Sequence, residues 1–157
     1  MKKVNFLPLI ISIAIPLAVG FVSAFVTRNY MDSFDTMTKP KLSPPAWLFP
    51  VAWTILYILM GIACYMMIRS RNPLKFYAII LYALQLFFNF FWSIIFFNQQ
   101  TYWFALFWLL AMWLIIIALV LLNIRVSITA MILLLPLLAW TTFAAYLNYS
   151  IARLNSI

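Results

Sequence analysis

The segment Lys39–Gly61, KPKLSPPAWLFPVAWTILYILMG, joins a polar, proline-stiffened connection to an apolar helix. Pro44 and Pro45 have a fixed φ and no N–H, which suits the first turn of a helix, and Ser43 before them is a predicted N-cap. Pro50 lies about one turn further on, where a proline removes a helical hydrogen bond, so we expect a kink there. The segment therefore predicts a loop tied closely to the mouth of an apolar helix.

Three aromatic residues mark this helix, namely Trp47, Trp53 and Tyr57. Trp53 and Tyr57 are four residues apart, so a helix places them on one face. A loop held over such a face predicts a lidded aromatic pocket.

The composition identifies the class of protein. Of the 157 residues, 68% are apolar and 8% are charged, and the mean hydropathy is +1.10. A soluble domain is usually about half apolar and has no means of burying this much apolar surface. The chain is therefore predicted to be an all-α integral membrane protein, a five-transmembrane-helix bundle.

The apolar runs divide one domain, residues 1–157, into five spans of about 20 residues, which is enough to cross a bilayer core of about 30 Å. The predicted spans are residues 6–27, 46–68, 76–97, 102–122 and 127–151, with residues 28–45 forming a loop over the pocket. The first run also has features of a signal peptide, since Val22, Ser23 and Ala24 resemble a cleavage site. A retained helix is favoured, because a cleaved segment would be shorter.

The basic residues predict the orientation. Six belong to one side of the membrane: Lys2, Lys3, Arg69, Arg71, Lys75 and Arg125. Four belong to the other: Arg28, Lys39, Lys41 and Arg153. The positive-inside rule then predicts a multi-pass cell-membrane protein with a cytoplasmic N-terminus, and with the first loop and the C-terminus outside.

The rare residue types exclude several functions. The chain has no histidine, Asp32 and Asp35 are its only acids, and Cys64 is its only cysteine. These residues offer no metal cluster, no catalytic acid–base pair and no intramembrane ion relay, so no catalytic residue, metal or cofactor is predicted. The basic residues are scattered, which argues against nucleic acid as a partner.

Two amides and two indoles stand out inside the spans. Gln85 and Asn89 are one turn apart and must face the bundle interior, either as an interhelical hydrogen-bonding pair or as polar contacts to a ligand. Trp53 and Trp140 lie too deep for an interfacial aromatic belt, so they either pack in the core or stack on a planar ligand. By contrast, Tyr102, Trp103 and Trp108 lie near a helix start and fit such a belt.

In combination these residues resemble the TspO/translocator protein family, also called tryptophan-rich sensory proteins or peripheral-type benzodiazepine receptors. The resemblance extends over almost the whole chain. It rests on Lys39, Pro40, Pro44, Pro45, Val51, Ala52, Trp53, Leu56, Tyr57, Met60, Gly61, Gln85, Asn89, Trp92, Phe96, Phe97, Leu135, Pro136, Trp140, Phe143, Ala144, Leu147 and Asn148.

The resemblance implies a receptor or sensor, commonly a homodimer, that binds tetrapyrroles such as protoporphyrin IX and haem, or drug-like lipophiles, beneath the first loop. The implied ligand-binding residues are Trp53, Trp140, Gln85, Asn89, Tyr57, Phe34, Ala144 and Leu147. A cholesterol-contact pattern is formed by Leu147, Tyr149 and Arg153. The chain departs from the family where Ser33 and Phe34 replace a usual Trp-Tyr pair, and where Leu42 replaces a frequent Trp.

Three functions follow from this resemblance. The first is a membrane receptor whose partners are a porphyrin or another lipophilic small molecule and the membrane lipid. The second is a transporter of such molecules. The third is light-dependent breakdown of porphyrin with Trp53 and Trp140 as oxidisable groups, although ordinary enzymatic catalysis is not predicted.

Overall fold

The computed structural model describes residues 4–30 and 36–155, and these form helices and turns without any strand. Helix α1 spans Phe6–Thr27 and is followed by a 3₁₀ turn at Arg28–Tyr30. The other helices are α2 at Leu48–Arg69, α3 at Lys75–Ser93 with a π-helical turn at Ile94–Asn98, α4 at Tyr102–Val126 and α5 at Ile128–Asn155. All five are long and apolar enough to cross a membrane, which confirms the predicted all-α, five-helix bundle.

The helices are arranged as a ring rather than in chain order. Helix α1 packs against α2, α2 against α5, α5 against α4 and α4 against α3. Helix α3 closes the ring through a smaller contact with α1. The ring is therefore least tightly packed between α1 and α3.

Helices α1 and α2 meet closely at Gly61. A Cβ atom added at this position would lie 2.4 Å from the Cα of Ile13 and 2.7 Å from the carbonyl oxygen of Ser12. Only glycine allows the two backbones to approach to this distance, which explains one of the two glycines in the chain.

Side-chain hydrogen bonds join the connections at each end of the bundle. At one end, Ser70 Oγ donates to the carbonyl oxygen of Val126 (2.7 Å), so the α2–α3 turn lies against the α4–α5 turn. At the other end, Asn155 accepts from the backbone N–H of Thr38 (3.1 Å) and donates to its carbonyl oxygen (2.9 Å). The first loop is thereby attached to the end of α5.

The start of α2 differs from the sequence-based expectation. The helix begins at Leu48, and Ser43 does not cap it, because its buried hydroxyl has no hydrogen-bonding partner. Pro45 instead accepts the N–H of Leu48 in a preceding turn (3.0 Å). Pro50 is the third residue of α2, where an N–H has no intrahelical partner, so the kink expected at Pro50 does not follow.

Helices α4 and α5 extend about four residues beyond their predicted ends. The predicted span of α4 ends at residue 122, but the amide of Asn123 donates to the carbonyl oxygen of Leu119 and the helix continues to Val126. Helix α5 continues to Asn155, whose amide also donates to the carbonyl oxygen of Ile151. Amides in these positions bond within the helix and therefore do not interrupt it.

Candidate functional site

A cavity of about 490 Å³ lies between α1, α2 and α3, at the end of the bundle that carries the first loop. Its position matches the weakly packed side of the ring. Its size falls in the range of about 300–1,000 Å³ typical of small-molecule sites. The lining residues are Leu17, Gly20, Phe21, Ser23, Ala24, Thr27, Phe49, Pro50, Trp53, Thr54, Tyr57, Trp92, Ser93 and Phe97.

Aromatic rings from two helices dominate the wall. Trp53 and Tyr57 of α2 stack with their centroids 5.5 Å apart, as their four-residue spacing allows. Trp92 of α3 stacks on Phe96 at 5.3 Å, and Phe97 reaches the cavity from the π-helical turn. These planar walls suit a flat apolar or aromatic ligand.

Gly20 fixes the position of the Tyr57 ring. A Cβ atom added at Gly20 would lie 2.2 Å from Cε2 of Tyr57. The ring therefore packs directly on the backbone of α1 and forms the boundary between the cavity and the bundle interior.

The polar atoms of the lining contribute little to the cavity surface. The hydroxyl of Thr54 donates to the carbonyl oxygen of Pro50 (2.7 Å), and that of Thr27 donates to the carbonyl oxygen of Ser23 (2.9 Å). Because both hydroxyls are bonded to their own helix, the cavity offers mostly apolar contact.

Neither of the predicted polar contacts, Gln85 and Asn89, lines the cavity. Tyr57 donates its hydroxyl to Oδ1 of Asn89 over 2.8 Å, and both residues are buried. Nδ2 of Asn89 and both amide atoms of Gln85 have no hydrogen-bonding partner, although Gln85 is fully buried. Unpaired amides inside a membrane bundle are costly, so these atoms are available to a ligand or to water.

The predicted residues of α5 lie further from the cavity. Trp140 packs edge-on against Phe49, with the ring centroids 6.0 Å apart, and Phe49 lines the cavity. Ala144 and Leu147 are buried in the bundle, and neither lines this cavity. Phe34 lies outside the described residues. The structure thus places Trp53 and Tyr57 on the cavity, and Trp140 and Asn89 one residue behind it.

The cholesterol-contact residues do not share one surface. Leu147 is buried, whereas Tyr149 and Arg153 are exposed, with the guanidinium 5.9 Å from the Tyr149 ring centroid. A sterol on the outside of α5 would therefore meet only two of the three side chains.

Sequence reasoning missed the contribution of α1, which supplies six lining residues. It also missed the network around Asn148, which accepts from Trp92 Nε1 (3.1 Å) and donates to the carbonyl oxygen of Tyr102 (2.9 Å). This buried amide joins α5 to α3 and α4. The sequence signal for this role was the position of an amide residue inside an apolar span.

Trp108 also has a different role from the one predicted. Its ring stacks on Phe88 with centroids 4.5 Å apart, and its Nε1 donates to the carbonyl oxygen of Phe88 (2.8 Å). Trp108 therefore packs α4 against α3, in contrast to the exposed Trp103, which fits the interfacial belt.

Among residues 4–30 and 36–155, no three His, Cys, Asp or Glu side chains come together as a metal would require. Comparison with known proteins identifies a family. Residues 12–154 match the TspO/MBR family. The tryptophan-rich protein TspO of Chlorobaculum tepidum is 39% identical over 153 residues, covering 95% of this chain and 96% of that protein.

Two further relatives are similar over comparable lengths. The tryptophan-rich protein TspO of Archaeoglobus fulgidus is 36% identical, covering 97% of this chain and 99% of that protein. The translocator protein of Bos taurus is 32% identical, covering 88% of this chain and 84% of that protein. These names describe tryptophan-rich and translocator proteins and do not describe enzymes. The chain belongs to the TspO/MBR family of membrane proteins.

Proposed function

We propose that this protein is a membrane receptor or sensor that binds a tetrapyrrole, such as protoporphyrin IX or haem, or another planar lipophile. The proposal rests on the aromatic cavity of about 490 Å³ between α1, α2 and α3. The rings of Trp53, Tyr57 and Trp92 would contact the ligand faces, and the apolar side chains of α1 would cover its edge.

The ligand would reach the buried amides through a movement of Tyr57. In the structure, the hydroxyl of Tyr57 donates a hydrogen bond to Oδ1 of Asn89, while the Gln85 amide has no hydrogen-bonding partner. Turning the Tyr57 ring away would free Oδ1 of Asn89 for a polar group of the ligand, and Gln85 lies one turn from Asn89 on the same helix. The apolar cavity would then supply affinity, and the amides would fix orientation.

The proposed role is binding rather than catalysis. The lining residues contain hydroxyl groups and aromatic rings but no carboxylate, lysine, arginine or cysteine. Such a set has no acid–base pair, so the cavity is suited to holding a ligand.

Equilibrium binding of protoporphyrin IX to purified protein tests the proposal. Porphyrin absorbance should be followed, because removing a tryptophan alters the intrinsic protein fluorescence. Trp53→Phe keeps a smaller ring and loses part of an aromatic contact worth about 0.5–1.5 kcal/mol, so it is expected to weaken saturable binding by roughly two- to fivefold.

Trp103→Phe is the matched control, because this tryptophan is exposed on α4 and does not line the cavity. It should bind porphyrin as the wild type does. Equal binding by Trp53→Phe and Trp103→Phe, or failure of the wild type to saturate, would show that porphyrin partitions into the micelle rather than into the cavity.

The proposal includes location in the cell membrane with the first loop and the C-terminus outside. Asn5 and Arg69 both donate to the hydroxyl of Tyr65, so the N-terminal end lies beside the basic α2–α3 turn, which the positive-inside rule places in the cytoplasm. Labelling of single cysteines introduced at Lys41 and Arg71 in intact cells would test this orientation.

A homodimer is proposed on the family resemblance alone, and cross-linking in membranes would test it.

A further inference from the structure

Basic residues meet at the end of the bundle where the α2–α3 and α4–α5 turns lie together. Asn72 Nδ2 donates to the carbonyl oxygen of Arg125 over 2.8 Å, which holds the two turns side by side. Four cationic residues belong to this basic end: Arg69, Arg71, Lys75 and Arg125.

Two of these cations are used by the fold. Arg69 Nη1 donates to the hydroxyl of Tyr65 (2.8 Å). Lys75 Nζ donates to the carbonyl oxygens of Ile68 (3.1 Å) and Ser70 (3.0 Å), at the C-terminal end of α2. Both side chains are therefore held by neighbouring protein groups.

Arg71 and Arg125 differ from the other two. Both are exposed, and neither guanidinium group makes a hydrogen bond or an ion pair with any residue the structure describes. The Asn72 bond keeps their backbones adjacent, so their long side chains can converge on a single anion.

The α2–α3 and α4–α5 connections at this end contain no acidic residue. The chain has only two acids, Asp32 and Asp35, and both lie in the sequence between α1 and α2. Thr38, in the described part of that connection, is bonded to Asn155 at the opposite end of the bundle. Among the described residues, the guanidinium groups of Arg71 and Arg125 therefore have no carboxylate partner.

Apolar side chains border the same surface. Five apolar or aromatic residues within three positions of these cations in the chain are exposed: Ile68, Phe76, Tyr77, Ile124 and Ile128. Exposed apolar side chains thus flank, along the sequence, both turns that carry the two unpaired guanidinium groups.

We propose that Arg71 and Arg125 bind the phosphodiester of an anionic phospholipid in the adjoining leaflet. Guanidinium groups bind phosphate oxygens through paired, charge-assisted hydrogen bonds. The acyl chains lie along the exposed apolar side chains below. A free phosphate would contact only the two arginines. A lipid would contact the arginines through its phosphodiester and the exposed apolar side chains through its acyl chains.

The opposite end provides a charge-matched control. There the guanidinium of Arg28 lies 4.1 Å from the ring centroid of Phe25, and that of Arg153 lies 5.9 Å from that of Tyr149. Each of these arginines is associated with an aromatic ring three or four residues before it in the chain, so they do not form a paired anion site.

The test is native mass spectrometry of the full chain with equal amounts of phosphatidylglycerol and phosphatidylcholine that share the same acyl chains. The wild type should retain phosphatidylglycerol preferentially. Arg71→Gln with Arg125→Gln should reduce that preference by roughly fivefold for each arginine, about 25-fold for the pair. Circular dichroism should show unchanged helix content, since both side chains are exposed.

Arg28→Gln with Arg153→Gln removes the same charge and should leave the preference intact. An equal loss in both double variants, or no preference in the wild type, would overturn the proposal. Glycerol 3-phosphate at the lipid concentration should not displace the lipid. Displacement would show that the site recognises phosphate alone and would overturn the assignment to a lipid.

Discussion

The bond between Tyr57 and Asn89 gives the sharpest test of how the cavity wall is built. Tyr57→Phe removes one hydroxyl from a 2.8 Å hydrogen bond and leaves the ring in place. Asn89 then has no partner for Oδ1, and its Nδ2 already has none. A buried acceptor left unpaired costs about 1–3 kcal/mol, so we expect Tyr57→Phe to lower the free energy of unfolding by about that amount.

A double-mutant cycle isolates the bond itself. Asn89→Leu removes the amide at similar volume, and Tyr57→Phe with Asn89→Leu leaves no unpaired group at this contact. Cycles for hydrogen bonds between membrane helices average about 0.6 kcal/mol and reach about 1.7 kcal/mol. Because both residues are almost fully buried, we expect a coupling free energy near the upper value.

The assay is equilibrium unfolding in mixed micelles, followed by helix content in circular dichroism. Tyr57→Phe combined with Thr142→Ala serves as a control, because Thr142 bonds to Trp113 and Leu138 rather than to the cavity wall. That pair should be additive within about 0.5 kcal/mol. A coupling between Tyr57 and Asn89 no larger than in this control would refute the role assigned to the bond.

Three further substitutions test the packing and the buried amides. Gly61→Ala places a Cβ against the backbone of Ile13 and should destabilise the protein by about 1–3 kcal/mol in the same unfolding assay, whereas unchanged stability would contradict the close approach of α1 and α2. Asn148→Leu leaves the buried Nε1 of Trp92 unpaired and should cost about 1–2 kcal/mol with a changed near-ultraviolet tryptophan signal. Gln85→Leu removes an unpaired amide, so it should leave stability unchanged or raise it while weakening porphyrin binding; marked destabilisation would show that Gln85 has a structural partner.

Length and composition were sufficient to predict five membrane helices, because a bilayer requires long apolar segments with their backbone groups paired internally. The pairing of Trp53 with Tyr57 also followed from spacing alone. The contribution of α1 did not. In a membrane both the lipid-facing and the buried sides of a helix are apolar, so hydrophobic periodicity does not show which face of α1 lines a cavity.

Amide residues inside the predicted spans indicated which positions are buried in the bundle better than apolar residues did. Gln85, Asn89 and Asn148 all lie inside predicted spans, and each is buried to within 1% exposure. Their burial follows from the cost of exposing an amide to hydrocarbon. Their partners were not predictable, because these depend on the ring order of the helices, which five similar apolar spans do not determine.

Two of the buried amides, Asn148 and Gln85, differ in whether their polar atoms are hydrogen-bonded. Asn148 uses both its amide atoms to join three helices, as expected of a residue that stabilises the bundle. Gln85 is equally buried and uses neither. Stability alone would favour leucine at Gln85, since an apolar side chain incurs no cost from unpaired polar atoms. Tyr57 lines an aromatic cavity and is bonded to Asn89, which lies one turn from Gln85 on the same helix. A polar ligand atom or a water molecule that reached the Gln85 amide would remove the cost of its unpaired polar atoms, whereas Asn148 has no such bond left to gain.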